Sequence, residues 1–239
     1  MEIRSKIIAS LSLLLGFLTF GQGFDVITVA TGPAGIGPEE PSININRKKT
    51  KRQVIGTNIN LVYVSKNNGK TWAKKDIIAE NGIWGDPVMA SELKGNFYYF
   101  HLSYPGLRTG DKESWLDRMA CHISTDYGEN WDIETHTGLN GKKDQDKEWV
   151  SIDPVSGAVY LTWTQFDKYD SKDENDRSVA MFSRSDDEGR TWTQAKRIST
   201  KSGLCLDDSR TVEGVIPAAG SNNKVYSVWM LNDSIYFQK

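Results

Sequence analysis

The chain of 239 residues predicts an all-β fold of repeated four-stranded antiparallel units, the arrangement of a β-propeller. Three observations lead there. Tryptophan, tyrosine and glycine are plentiful and no stretch holds a sustained helical period of apolar residues, so strands joined by tight turns are expected. Three polar octapeptides, each ending in tryptophan, recur along the chain: SKNNGKTW from Ser65 to Trp72, STDYGENW from Ser124 to Trp131, and SDDEGRTW from Ser185 to Trp192. Each occupies the same place in a series of short alternating segments with a period of roughly sixty residues, the mark of a repeat whose units cannot bury both faces alone.

The elements follow in order. The first unit has segments at 41–45, 54–58, 61–64 and, after the octapeptide, 73–78. The second has 86–91, 97–104, 118–123 and 132–137. The third has 149–153, 159–166, 179–184 and 193–198, and a fourth unit shows 212–218, 225–231 and 235–239. We name the strands of a unit A (innermost) to D (outermost). Each octapeptide then joins C to D. A two-sheet sandwich would explain the number of strands but not the recurrence of the octapeptide.

Before the first unit, Arg4 and Lys6 precede an apolar run over 7–20, and Gly21 and Gly23 follow. This is the pattern of a secretory signal peptide over 1–23, with the propeller expected over 24–239. The run is too short to span a bilayer comfortably, so no membrane span is expected in the mature chain, which would be secreted or periplasmic. The formal net charge of -2 makes nucleic acid an unsuitable partner. Export permits a disulfide between Cys121 and Cys205, and two buried thiols are the alternative.

The octapeptides read as structural. A Ser or Asp side chain can fold onto nearby N–H groups, Gly69, Gly128 and Gly189 allow a left-handed backbone, and Trp72, Trp131 and Trp192 can wedge between strands. Asp126 and Asp187 are matched by neutral Asn67, a swap that a hydrogen-bonded turn tolerates and an acid catalyst would not.

The pattern S-x-D-x-G-x-T-W resembles the Asp-box, or BNR repeat, of sialidases and related propellers. Residues 185–192 match throughout, while Asn130 replaces the usual Thr in the second copy and Asn67 the Asp in the first. The resemblance implies a sialidase-like propeller whose boxes stabilise the fold and lie away from the active site. It also implies three substrate-binding arginines, the first in an R-I-P motif on the first inner strand. The matching segment here is Glu39-Glu40-Pro41-Ser42-Ile43, with Glu39 at the arginine position. That carboxylate would repel a sugar acid, so no catalytic residue is carried over. The family's six-bladed wheel further implies a chain cut short in its fourth blade. Alternatively, residues 24–31 (FDVITVAT) supply a missing outer strand and close a small four-bladed wheel.

Strand alternation sorts the loops between two faces. A–B turns, octapeptides and the basic tip over 47–52, read as a solvated turn, share one face. Long loops over 105–117, 138–148, 167–176 and 200–213 share the other, where binding usually resides. Carboxylates and aromatic platforms there suit an extracellular glycan or glycoprotein. The substrate-binding candidates are Trp115, Arg118, Trp149, Tyr169 and Arg210. Inner strands start at the acids Glu40, Asp86, Glu148 and Glu213, which would approach the central channel on that face, and Asp86, Asp146, Glu148 and Glu213 are the candidates for general acid and base. Strand-start carboxylates capping backbone donors would look the same. Asp167, Asp170, Asp173 and Asp176 form an oxygen-rich segment that could hold Ca2+, although the spacing of a twelve-residue calcium loop is missing. The function expected is an exported sialidase-like propeller that binds or hydrolyses extracellular glycans. A non-catalytic interaction scaffold and a true exo-sialidase are the alternatives.

Overall fold

The computed structural model describes residues 25–33, 37–110, 115–206, 208–221 and 223–239. The signal-peptide segment lies outside the described residues, as do Asp111, Glu113 and Asp207 of the long loops.

The chain is a β-propeller built of antiparallel sheets. Blade one holds β1 (Ser42–Ile45), β2 (Gln53–Thr57), β3 (Leu61–Ser65) and β4 (Ala73–Asp76). Blade two holds β5 (Gly85–Ser91), β6 (Phe97–Leu102), β7 (Met119–Ser124) and β8 (Ile133–Thr137). A one-turn helix α1 (Gly106–Thr109) lies between β6 and β7 and is closed by Gly110 at φ 77°. Blade three holds β9 (Asp144–Ile152), β10 (Val159–Phe166), β11 (Ser178–Ser185) and a two-residue β12 (Lys196–Arg197). The fourth sheet holds β13 (Glu213–Ala219), β14 (Val225–Leu231) and β15 (Ser234–Gln238). Successive inner strands β1, β5, β9 and β13 lie side by side.

The expected segments agree with these strands to within a residue or two, with three corrections. Strand β9 starts five residues earlier than expected, so Asp144 and Asp146 belong to an inner strand and not to a loop. The outer strand of blade three shrinks to two residues. Residues 25–31, expected as a strand ahead of the first blade, form none.

Alternation explains the core. In β6, Phe97 and Tyr99 face blade one with Val54, Val62, Val64 and Met89, while Tyr98, Phe100 and Leu102 face blade three with Val159, Leu161 and Trp163. Both faces of this central strand are therefore apolar, as packing between two sheets demands. Within it, His101 and His122 stack at 5.2 Å, both buried. His101 Nδ1 lies 2.8 Å from the Leu102 carbonyl and so carries the proton, which leaves Nε2 facing the core without a partner. Burial, with His122 adding to it, pushes His101 down to about 3. Cys121 and Cys205 are separate buried thiols, so the expected alternative of a disulfide is not formed.

The octapeptides show why their residues recur. In each, the serine hydroxyl accepts the glycine N–H: Gly69 to Ser65 at 2.9 Å, Gly128 to Ser124 and Gly189 to Ser185 both at 2.8 Å. The same hydroxyl donates to the side-chain oxygen two residues on, that of Asn67, Asp126 or Asp187. That oxygen in turn accepts the backbone N–H of Thr71, Asn130 or Thr191. The two departures from the pattern keep the last bond. Thr191 donates its hydroxyl to Asp187 at 2.6 Å, Asn130 donates its amide to Asp126 at 2.6 Å, and Asn67 reverses the direction, donating to the Thr71 hydroxyl at 2.8 Å. Asp187→Asn is therefore expected to change stability by less than about 1 kcal/mol, whereas Asp187→Ala removes three acceptor contacts and should cost about 1–2 kcal/mol in urea unfolding.

The octapeptides also bind one blade to its predecessor. Glu129 pairs with Lys66 at 2.6 Å and Arg52 at 3.4 Å on blade one, and Lys49 lies over the Tyr127 ring. Glu188 accepts from Lys94 and from Asn96 of blade two. Residues 47–51 of the basic tip are exposed, as expected of a solvated turn, while Lys49 and Arg52 also reach the next octapeptide. These contacts confirm that A–B turns and octapeptides share one face.

Candidate functional site

Three of the four inner strands carry a β-bulge at the same place. Two residues of β5 (Asp86 and Pro87) lie between the pairs Gly85–Leu102 and Val88–Phe100. Two of β9 (Lys147 and Glu148) lie between Asp146–Thr164 and Trp149–Thr162. Two of β13 (Gly214 and Val215) lie between Glu213–Met230 and Ile216–Val228. The first bulge residue has a left-handed backbone each time: Asp86 at φ 54°, Lys147 at 51° and Gly214 at 62°, with Glu40 at 46° just ahead of β1. Bulges re-aim side chains, and these bring Glu40, Asp86 and Lys147 together.

This superposition corrects the expected ring of equivalent strand-start acids. Asp86 stands at the first bulge position, Glu148 at the second, and Glu213 ahead of the bulge alongside Asp146. The residue equivalent to Asp86 in blade three is a lysine. Acids one position apart look alike in a sequence, but a bulge turns neighbouring side chains in different directions.

The bulges frame a hollow of about 480 Å³. Its polar end is a cation held by two carboxylates. Lys147 Nζ donates to Asp86 Oδ2 at 2.5 Å and lies 3.9 Å from Glu40 Oε1. Asn58 fixes both acids, donating Nδ2–H to Glu40 at 2.8 Å and accepting the Asp86 N–H at 2.8 Å. A hydrogen bond with Asp86, followed by burial, raises the Glu40 carboxyl above its ordinary value. Burial works against the Lys147 ammonium, but Asp86 and then Glu40 outweigh it and hold the ammonium above its ordinary value. The apolar wall is Pro41, Ile43, Val88 and the ring of Trp149, which is 43% exposed.

Glu148 lies at the base of this hollow, only 2% exposed, and neither carboxyl oxygen has a hydrogen-bond partner. Its position belongs to Pro87 in blade two and Val215 in blade four. Burial first, then the charges of Asp86 and Asp146, raises this carboxyl well above the usual range.

The other expected residues lie elsewhere. Trp115 meets Tyr169 edge-to-face at 5.6 Å and Trp84 at 5.1 Å, forming a rim cluster apart from the hollow. Tyr169 is tied back through its N–H to Asp144 at 2.7 Å. Arg118 makes a two-pronged bond with Asp117, at 2.9 and 2.6 Å. Arg210 pairs with Asp208 at 2.6 Å and is solvent-exposed. The oxygen-rich segment does not converge. Asp167 accepts from Lys143 and from the Arg177 N–H, Asp173 accepts from Asn175, and Asp176 accepts from Ser171. Among the described residues no group of three or more His, Cys, Asp or Glu side chains is gathered as metal ligands would be. No described helix is long and apolar enough to cross a membrane.

Sequence reasoning missed Lys147, whose partners come from two other blades, and Asn58, which carries no motif. Glu40 was expected as the acid that starts the first inner strand, and it does line the hollow.

Neither protein-family profiles nor curated proteins match the sequence. Solved structures do match in shape. A PL25 polysaccharide lyase, an ulvan lyase bound to a sugar, aligns with TM-score 0.52 at 8% identity over 79% of this chain and 50% of its own. A Hadza microbial sialidase aligns at TM-score 0.45 and 16% identity over 79% and 43%, and a GH43 β-1,3-galactosidase at 0.46 and 14% over 83% and 42%. The chain thus spans half or less of each of these structures. At such identities the likeness is one of fold, and the lyase carries it.

Proposed function

We propose that this protein is an exported, sialidase-like Asp-box propeller that binds extracellular glycans in the hollow at the bulged ends of its inner strands. The observation that carries the reading is Trp149, an exposed aromatic face set beside hydrogen-bonding carboxylates at the convergence of three blades. A sugar ring offers an apolar face and a fringe of hydroxyls, and this wall and its polar end match both. The octapeptide turns support the Asp-box resemblance, and the leader over 1–23 supports export.

Trp149→Ala is expected to weaken binding to an oligosaccharide ligand by at least about tenfold in calorimetric titration. Trp84→Ala, on the rim, should leave the affinity unchanged. Equal affinity of wild type and Trp149→Ala would refute the hollow as the site.

One observation favours a second reading, hydrolysis: a carboxyl raised well above its ordinary value, as that of Glu148 is, suits a general acid. Binding is favoured over it because both Glu148 oxygens are sealed from solvent and Asp86 and Glu40 are engaged by Lys147. Turnover of aryl-glycosides that disappears in Glu148→Gln would establish hydrolysis.

A further inference from the structure

The charge arrangement in the hollow carries a statement about substrate class. It rests on the glycan-binding reading above. Among the described residues the only cation lining the hollow is Lys147, and its ammonium is already held by Asp86 at 2.5 Å with Glu40 at 3.9 Å. Two carboxylates against one ammonium leave the accessible end net negative. The Glu148 carboxyl beneath is sealed from solvent and, being neutral or negative in either state, adds no positive charge. Arg118 and Arg210, the two arginines among the substrate-binding candidates, are taken up by Asp117 and Asp208 outside the hollow.

We propose that the hollow selects uncharged saccharides and excludes those bearing carboxylate or sulfate, with the Glu40–Lys147–Asp86 cluster as the specificity determinant. An anionic sugar would have to approach two carboxylates of its own sign or pull Lys147 away from them, and both routes oppose binding. A neutral sugar meets acceptors for its hydroxyls and the Trp149 face without that penalty. Specificity here is built by repulsion rather than by added attraction.

The test is calorimetric titration with matched pairs: lactose and sialyl-lactose, and fully methyl-esterified hexagalacturonate and its free acid. Wild type should bind a neutral member at least about tenfold more tightly than its anionic counterpart at low ionic strength, with the gap shrinking as salt is added. Glu40→Gln, and more strongly Glu40→Gln with Asp86→Asn, should free Lys147 and narrow the gap to within about threefold. Melting curves establish that each variant is folded, and the exposed position of Glu40 keeps the single variant usable if the double one is not. Equal or tighter binding of the anionic member by wild type, still abolished by Trp149→Ala, would overturn the selectivity while leaving the glycan site standing. A gap unchanged in Glu40→Gln and in the double variant would remove the cluster as its cause. Binding to no member of either pair would count against both proposals.

Discussion

Gly128→Val is expected to destabilise the protein by about 3–5 kcal/mol, enough to unfold it near physiological temperature. Two costs add. The backbone at Gly128 has φ 91°, a conformation that β-branched residues rarely adopt. A side chain there would also strike the preceding blade: a Cβ would lie 2.9 Å from Val54 Cγ2 and 3.3 Å from both Val64 methyls. Both valines belong to the buried core between blades one and two. Gly157 provides the control. Its φ of 77° is similarly left-handed, but no atom lies within 4 Å of the position a Cβ would take. Gly157→Ala should therefore cost only the backbone term, about 1–2 kcal/mol. Urea unfolding of both variants measures the difference. Near-equal losses would show that the octapeptide glycine is required for its turn alone and not for contact between blades.

Glu148→Val is expected to stabilise the protein at neutral pH, by about 1–3 kcal/mol. The equivalent position is apolar in the blades on either side, Pro87 and Val215, and the carboxyl oxygens make no hydrogen bond that valine would forfeit. The pH dependence has a definite sign. The folded-state value is raised above the ordinary value of 4.5, so the folded protein binds a proton that the unfolded chain releases. The Glu148 contribution is most favourable below pH 4.5 and is lost as pH rises toward the folded value. The advantage of valine should therefore be small at pH 4.5 and grow toward pH 7.5. His101 has the opposite sense, because its folded value of about 3 lies below the ordinary 6.5. It removes stability as pH falls below 6.5, by about 2–3 kcal/mol at pH 4.5. Comparing wild type with Glu148→Val at each pH cancels that term. A stability gain for valine that is equal at both pH values would show that Glu148 is not held protonated.

The blades were legible because alternation and the octapeptides agree. In β6, the run Phe97-Tyr98-Tyr99-Phe100 sends alternate rings to two sheets, and the pattern of apolar residues alone places it between them. The start of β9 was not legible, since Asp144-Gln145-Asp146-Lys147-Glu148 has the composition of a solvated loop. Its first residues are buried in a strand because Asp144 and Gln145 find partners, whereas Glu148 is buried without one. Asp144 accepts the Tyr169 N–H, and Gln145 accepts the Trp163 indole N–H at 2.6 Å while donating its own N–H to the Leu116 carbonyl. The site was half legible for a related reason. Asp86, Glu148 and Trp149 do meet at one hollow, but the bulge that separates the roles of Asp86 and Glu148 leaves no trace in residue type. Arg118 and Tyr169 were read as substrate-binding groups, whereas Arg118 is paired with Asp117 and Tyr169 is held to Asp144 by its backbone.

The grip of each octapeptide on the preceding blade also sets an order of assembly. Arg52 waits for Glu129, 77 residues further on, and Lys94 waits for Glu188, 94 residues further on. The flank of blade one is closed only by residues of its successor, so a chain cut between the first two octapeptides would leave the Val54–Val64 surface wet.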